Sequence, residues 1–132
     1  RARVVDVTHV ESCISAQDLE DKDIKAGDFV LLKSRNSFED LLEGDYVYLD
    51  GTGAQYLTDL GIAGVGSDAL GIERAQPEHE THKTLLAADI IILEGLRLAD
   101  VPAGEYLLIA VPVKIAAEAA PTRAMLIEGL SM

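Results

Sequence analysis

Between Gly53 and Val65 the chain reads as a helix, a stop and a strand, and this unit narrows the possible folds most. Ala54, Leu57 and Leu60 fall on one helical face, Gly61 can adopt the left-handed turn that ends the helix, and Ile62 to Val65 begins an apolar strand. A helix feeding directly into such a strand belongs to the α/β class, in which helices cover a sheet. The same alternation recurs along the chain. Arg3 to Val7, Phe29 to Lys33, Ile90 to Leu93, Leu107 to Ile115 and Ala124 to Ile127 read as further strands. The runs at Phe29, Ile62, Ile90 and Leu107 are expected in one sheet, and the unbroken apolar run Phe29 to Lys33 predicts a strand covered on both faces. Ser15 followed by Asp18 predicts a capped short helix, Ser34 to Leu42 a loop or short helix, and Pro77 precedes a helix whose inner stripe is predicted as Thr84, Leu85 and Ala88. Pro112 demotes its strand to an edge or a bulge, and Ala116 to Ala120 reads as a turn or flexible link.

With 132 residues, 48% of them apolar, the chain fits one domain, residues 1–132, able to bury a core. It has no Trp, two Phe and four Tyr, so that core is aliphatic. No run approaches the roughly 18 apolar residues of a membrane span. Cys13 is the single cysteine and cannot form an internal disulfide; it predicts a buried small side chain and a reducing, cytoplasmic setting. The net charge of −12, from 23 acidic against 11 basic residues, repels nucleic acid and anionic membranes, so neither is expected as a partner.

The segment Pro77 to Glu94 carries the densest chemistry. His79 and His82 stand at i, i+3 at a helix start, and Glu94 ends the apolar run Ile90 to Leu93. Imidazole and carboxylate are ligands for Zn²⁺, Mn²⁺ or Fe²⁺, and a carboxylate closing a buried strand calls for a metal or an acid–base role. The same spacing also fits a solvated helix face with Glu94 at a strand end in water. Asp68 fits a helix cap or a support for a catalytic His. Arg123 fits a substrate carboxylate or one of the many local acids. Tyr46 and Tyr48 fit core packing, a surface ladder or an aromatic substrate wall, and His9 fits a solvent-exposed loop. Gly61, Gly64 and Gly66 do not form a dinucleotide fingerprint, because they precede and occupy a strand rather than leading from one into a helix.

Six pieces in order resemble the cyclase family of metal-dependent hydrolases, which includes bacterial kynurenine formamidase and isatin hydrolase. They are Ile24 to Ser34 around Gly27-Asp28, Tyr48 to Ile62, and Val65-Gly66-Ser67-Asp68-Ala69-Leu70. After them come His82-Lys83-Thr84-Leu85-Leu86 with Ile90 to Leu96, Val101 to Ile115, and Ala120-Pro121-Thr122-Arg123-Ala124. The family's metal motif, H-x-G-T-H-x-D-x-P-x-H, lies upstream of the segment that Arg1 to Val7 resembles and is not in this chain. The chain therefore resembles the C-terminal two-thirds of a family member. The family's Asp-Gly turn is replaced by Ala116 to Ala120.

The resemblance implies the swivelling β/β/α fold, a mixed sheet with flanking helices, here in part. It implies hydrolysis of an amide or cyclic amide bond in a small, often aromatic substrate, with a divalent metal, Zn or Mn. His82 and Glu94 match the family's distal ligands or proton-handling pair and are expected as both the catalytic and the metal residues, with His79 adjacent. It also implies a homo-oligomer. Without the upstream motif the chain is expected to bind metal weakly or not at all and to show no turnover, since catalytic zinc normally has three protein ligands. The alternative expectation is a non-catalytic binding or assembly module of the same fold.

Overall fold

Phe29–Lys33 forms a strand over the whole of its apolar run, with Val30, Leu31 and Leu32 buried because both faces are covered there. In the computed structural model, which describes residues 1–42 and 44–130, eight strands and three α-helices follow in the order β1 (Ala2–Asp6), β2 (Cys13–Ile14), α1 (Ala16–Leu19), β3 (Phe29–Lys33), β4 (Tyr48–Leu49), α2 (Gly51–Leu60), β5 (Gly64–Ser67), α3 (Glu80–Ala87), β6 (Ile91–Leu93), β7 (Gly104–Pro112) and β8 (Thr122–Ile127). A 3₁₀ turn at Arg35–Phe38 follows β3. The main sheet has six strands in the order β6-β5-β3-β1-β7-β8; β6, β5, β3 and β1 run parallel, β7 pairs antiparallel with β1, and β8 antiparallel with β7. β2 and β4 form a small parallel pair beside it. The four runs expected in one sheet are all there, and the protein is α/β with a mixed sheet.

One face of the sheet packs on the helices, joining Val5, Val30, Leu32 and Val65 to Leu19, Ala54, Leu57 and Leu85 in an aliphatic core. The opposite face is covered in part by the segment carrying Leu96, Leu98 and Val101, over Ala2, Val4 and Leu31. Among the described residues no helix is long and apolar enough to cross a membrane.

Local chemistry sets the boundaries. Asp50 caps α2 by accepting from Gly53 N at 2.9 Å, and Gly61, at φ 76°, ends it. Asp18 accepts from both the N–H and the hydroxyl of Ser15 at 2.8 Å, fixing the start of α1. The strand expected from Ile62 begins at Gly64, because Ile62 and Ala63 still bond to Leu57 O and Asp28 O. Ile90 likewise gives its N–H to Leu85 O, so β6 starts at Ile91. β7 starts earlier than expected, at Gly104, and stops at Pro112. Beyond Tyr106 it pairs only with β8, so the missing N–H of Pro112 lies on a stretch with one open side.

Two expectations are corrected. The inner stripe of α3 is Thr81 and Leu85, not Thr84, Leu85 and Ala88: Ala88 is the exposed C-cap, since the helix ends at Ala87. And β6 is not buried but forms the sheet edge, with Ile91 59% exposed and Glu94 in contact with solvent.

Candidate functional site

The loop from β5 to α3 folds back over the end of β6 and brings three chemically capable side chains together. Ile72 is fully buried and draws Glu73 in with it, leaving the Glu73 side chain 3% exposed. A buried carboxylate needs donors, and Glu73 has them. Its Oε2 accepts from Gln76 Nε2 at 2.5 Å and from Thr81 N at 3.1 Å. Its Oε1 meets His82 Nδ1 at 2.5 Å. Burial pushes the Glu73 carboxyl upward, but the hydrogen bonds from His82, Gln76 and Thr81 outweigh it and hold the group below the ordinary carboxylate range.

The N-terminus of α3 depends on these contacts. His79 stands at the N-cap in a left-handed conformation, φ 53°, and makes no side-chain cap; Glu73 supplies the acceptor for Thr81 N instead. Thr81 gives its hydroxyl to Leu49 O at 2.6 Å and receives Gln76 Nε2 at 2.8 Å, tying the helix start to β4. His82, one residue along, is thereby set at the mouth of the site, 38% exposed.

His82 and Glu94 do converge: Nε2 lies 3.6 Å from Glu94 Oε1. Glu94 is anchored from behind, its Oε1 accepting from Ile72 N at 2.9 Å. Two ligands about 2.1 Å from one ion, at angles between tetrahedral and 120°, stand about 3.4–3.6 Å apart. The pair thus has the separation of two ligands of one metal, with no hydrogen bond between them to break.

Glu73, His79 and His82 also form a tight group, with one ligand atom from each within 4.8 Å of the others. As a ligand set it fits less well. A separation of 2.5 Å between Glu73 Oε1 and His82 Nδ1 would pinch the angle at an ion to about 75° and is the length of a strong direct hydrogen bond. His79 contributes an exposed ring, 3.4 Å from Glu73 Oε1.

Glu73 is the residue the sequence did not announce. It sits in a loop, nine positions before His82, where no helical or strand period applies. The available signal was a charge directly after the apolar Ile72, which is buried.

The other candidates resolve as structure. Asp68, 1% exposed, accepts from Ser34 N, Ser34 Oγ and Ser37 Oγ at 2.8, 2.7 and 2.6 Å and so secures the 3₁₀ turn; no His approaches it. Tyr46 is buried beside Leu41 and Ala69 with Arg74 over its ring. Tyr48 shares that cluster, half-buried on β4, and Arg123 is exposed on the outer strand β8. His9 is exposed near Asp18. Cys13 is half-buried and unpaired, its thiol pushed up by burial and by Asp50.

The chain is 32% identical over 128 residues to the kynurenine formamidase of Sphingopyxis alaskensis, covering 95% of this chain and 61% of that protein. The solved structure of a "predicted metal-dependent hydrolase" from Bacillus stearothermophilus superposes with a TM-score of 0.91 at 50% identity, over 95% of this chain and 62% of that one. Isatin hydrolase A from Labrenzia aggregata shares the fold at a TM-score of 0.80 and 19% identity, over 97% of this chain and 60% of its own. The chain thus spans about three fifths of the length of these relatives. The model of the Cyclase family, described as "Putative cyclase", matches residues 1–74, more than half of the 132, and the chain belongs to that family.

Proposed function

We propose that this chain carries one side of the active site of a metal-dependent hydrolase that cleaves an amide or cyclic amide bond in a small, aromatic substrate, in the manner of an arylformamidase. The observation that carries the reading is the 3.6 Å approach of His82 Nε2 to Glu94 Oε1, both open to solvent. The activity named for the Sphingopyxis alaskensis relative supports it.

His82 and Glu94 would hold the divalent metal, Zn or Mn, which when bound polarises a carbonyl and activates water. In this reading Glu94 would take a proton from the attacking water and return it to the leaving nitrogen; its accessible carboxylate, anchored by Ile72 N, supports that role. Two protein ligands fall short of the usual three, so the chain alone is proposed to hold metal weakly and to turn over no substrate. Elemental analysis of the purified full-length protein, together with its hydrolysis of a formylated arylamine, tests the reading. Metal near one equivalent and loss of hydrolysis in Glu94→Gln with the fold intact are expected. An unimpaired Glu94→Gln enzyme would remove Glu94 from the mechanism and favour a binding module instead.

The same reading makes the protein a cytoplasmic homo-oligomer. Cys13 is unpaired, as a reducing compartment keeps it, and the β7–β8 hairpin leaves Val111, Met125 and Ile127 uncovered.

A further inference from the structure

We infer that Glu73 is a positioning residue that sets the tautomer of His82, holding the proton on Nδ1 so that Nε2 faces Glu94 with a free lone pair. The inference rests on the metal reading of His82 and Glu94 but makes a claim that can be checked without metal.

The two oxygens of Glu73 have separate duties. Oε2 is committed to two donors that cannot accept, Thr81 N and Gln76 Nε2. Oε1 faces His82 Nδ1 at 2.5 Å. A carboxylate accepts only, so a neutral His82 must carry its proton on Nδ1, and its Nε2 is left as an acceptor. That nitrogen is 3.6 Å from Glu94 Oε1. A carboxylate behind a ligating imidazole fixes the ring and raises its donor strength. With the Glu73 side chain 3% exposed, water does not compete for either oxygen, and the other neighbour of Oε1, His79 Nδ1 at 3.4 Å, stands well beyond the 2.5 Å contact to His82.

A merely structural role, capping α3 through Thr81 N, predicts something different, and Glu73→Gln separates the two. In that variant the amide oxygen stays with Thr81 N and Gln76 Nε2, because both are donors. The amide NH₂ is then turned toward His82, which can meet it only with an unprotonated Nδ1. The proton moves to Nε2, the nitrogen that faces Glu94, and the ring is switched off as a ligand while the helix cap survives.

The experiment is ¹⁵N NMR of the histidines in the metal-free full-length protein, at a pH that keeps the rings neutral, with His82 assigned by His82→Gln. The expected wild-type pattern is Nδ1–H, reversed to Nε2–H in Glu73→Gln. Titration of both proteins with Zn²⁺ or Mn²⁺ is expected to show about a 10- to 100-fold weaker affinity in the variant. A wild-type His82 found as Nε2–H overturns the inference without any variant, so a Glu73→Gln protein that fails to fold does not protect it. An unchanged tautomer and affinity in a folded Glu73→Gln also overturn it, leaving Glu73 as a cap. If the tautomer reverses but the full-length wild-type protein binds no metal and hydrolyses nothing, the positioning claim stands and the hydrolase reading falls.

Discussion

Asp28 shows at one residue how this acidic chain keeps a buried charge. Its carboxylate is fully buried and accepts from Arg1 Nε at 2.8 Å and from Lys25 N at 2.9 Å, with the Arg3 guanidinium close by. Burial pushes its carboxyl up, but the Lys25 N–H and the two arginines prevail and hold it below the ordinary range. A carboxyl depressed on folding stabilises above its unfolded value of about 4 and loses that contribution as pH falls through its folded value. Asp28→Asn is therefore expected to cost about 1–3 kcal/mol at pH 7. In chemical denaturation at a series of pH values, the gap to wild type should close below about pH 4; a gap constant down to pH 2 would refute the account. The candidate residues differ in how far the sequence pointed to their meeting. The approach of His82 to Glu94 was expected from their order and spacing in a resembling family, whereas Glu73 reaches His82 across an irregular loop, and only folding reveals which loop carboxylate turns inward.

Among the elements, β3 was legible to the residue because an apolar run bounded by Asp28 and Ser34 has one natural reading. β5 was not, since two of its four residues are glycines that carry no hydrophobic signal. Their smallness is imposed by neighbours: a Cβ at Gly64 would lie 2.2 Å from the Phe29 ring, and one at Gly66 would lie 2.6 Å from Leu31 Cδ2. Gly53 in α2 poses a direct contest. Alanine gains about 1 kcal/mol of helix propensity there. Its Cβ, however, would meet Leu49 Cδ1 at 2.6 Å and the backbone oxygen of Ile14 at 2.8 Å, and the backbone cannot step aside as a side chain can. Overpacking of about 1–3 kcal/mol should outweigh it, so Gly53→Ala is expected to lower stability by up to about 2 kcal/mol. A thermal melt that rises instead would show that β2 yields. The edge position of β6 was missed because periodicity reports burial and not strand order.

At the scale of the molecule the helices cover β1, β3 and β5 but not the β7–β8 hairpin, where Ile109 and Val111 pair with Met125 and Arg123. With Val111 57% and Met125 43% exposed, this apolar ribbon is the proposed seat of a second copy. Light scattering is expected to give a mass above 14.1 kDa, falling to the monomer when Val111 and Met125 are both replaced by Glu; an unchanged mass would place the contact elsewhere. The opposite edge has a separate consequence. β6 is held by three pairs to β5 alone, and Glu94 follows its last residue. Short edge strands open locally at little free energy, and an opening that also releases the Ile72 N–Glu94 bond carries Glu94 away from His82. The proposed centre would therefore exist only for the fraction of time that the edge is zipped. An ion bridging the two side chains would close that edge in proportion to its occupancy, so amide hydrogen exchange in β6 should slow as Zn²⁺ or Mn²⁺ is added, while exchange in β1 and β3 stays as it was.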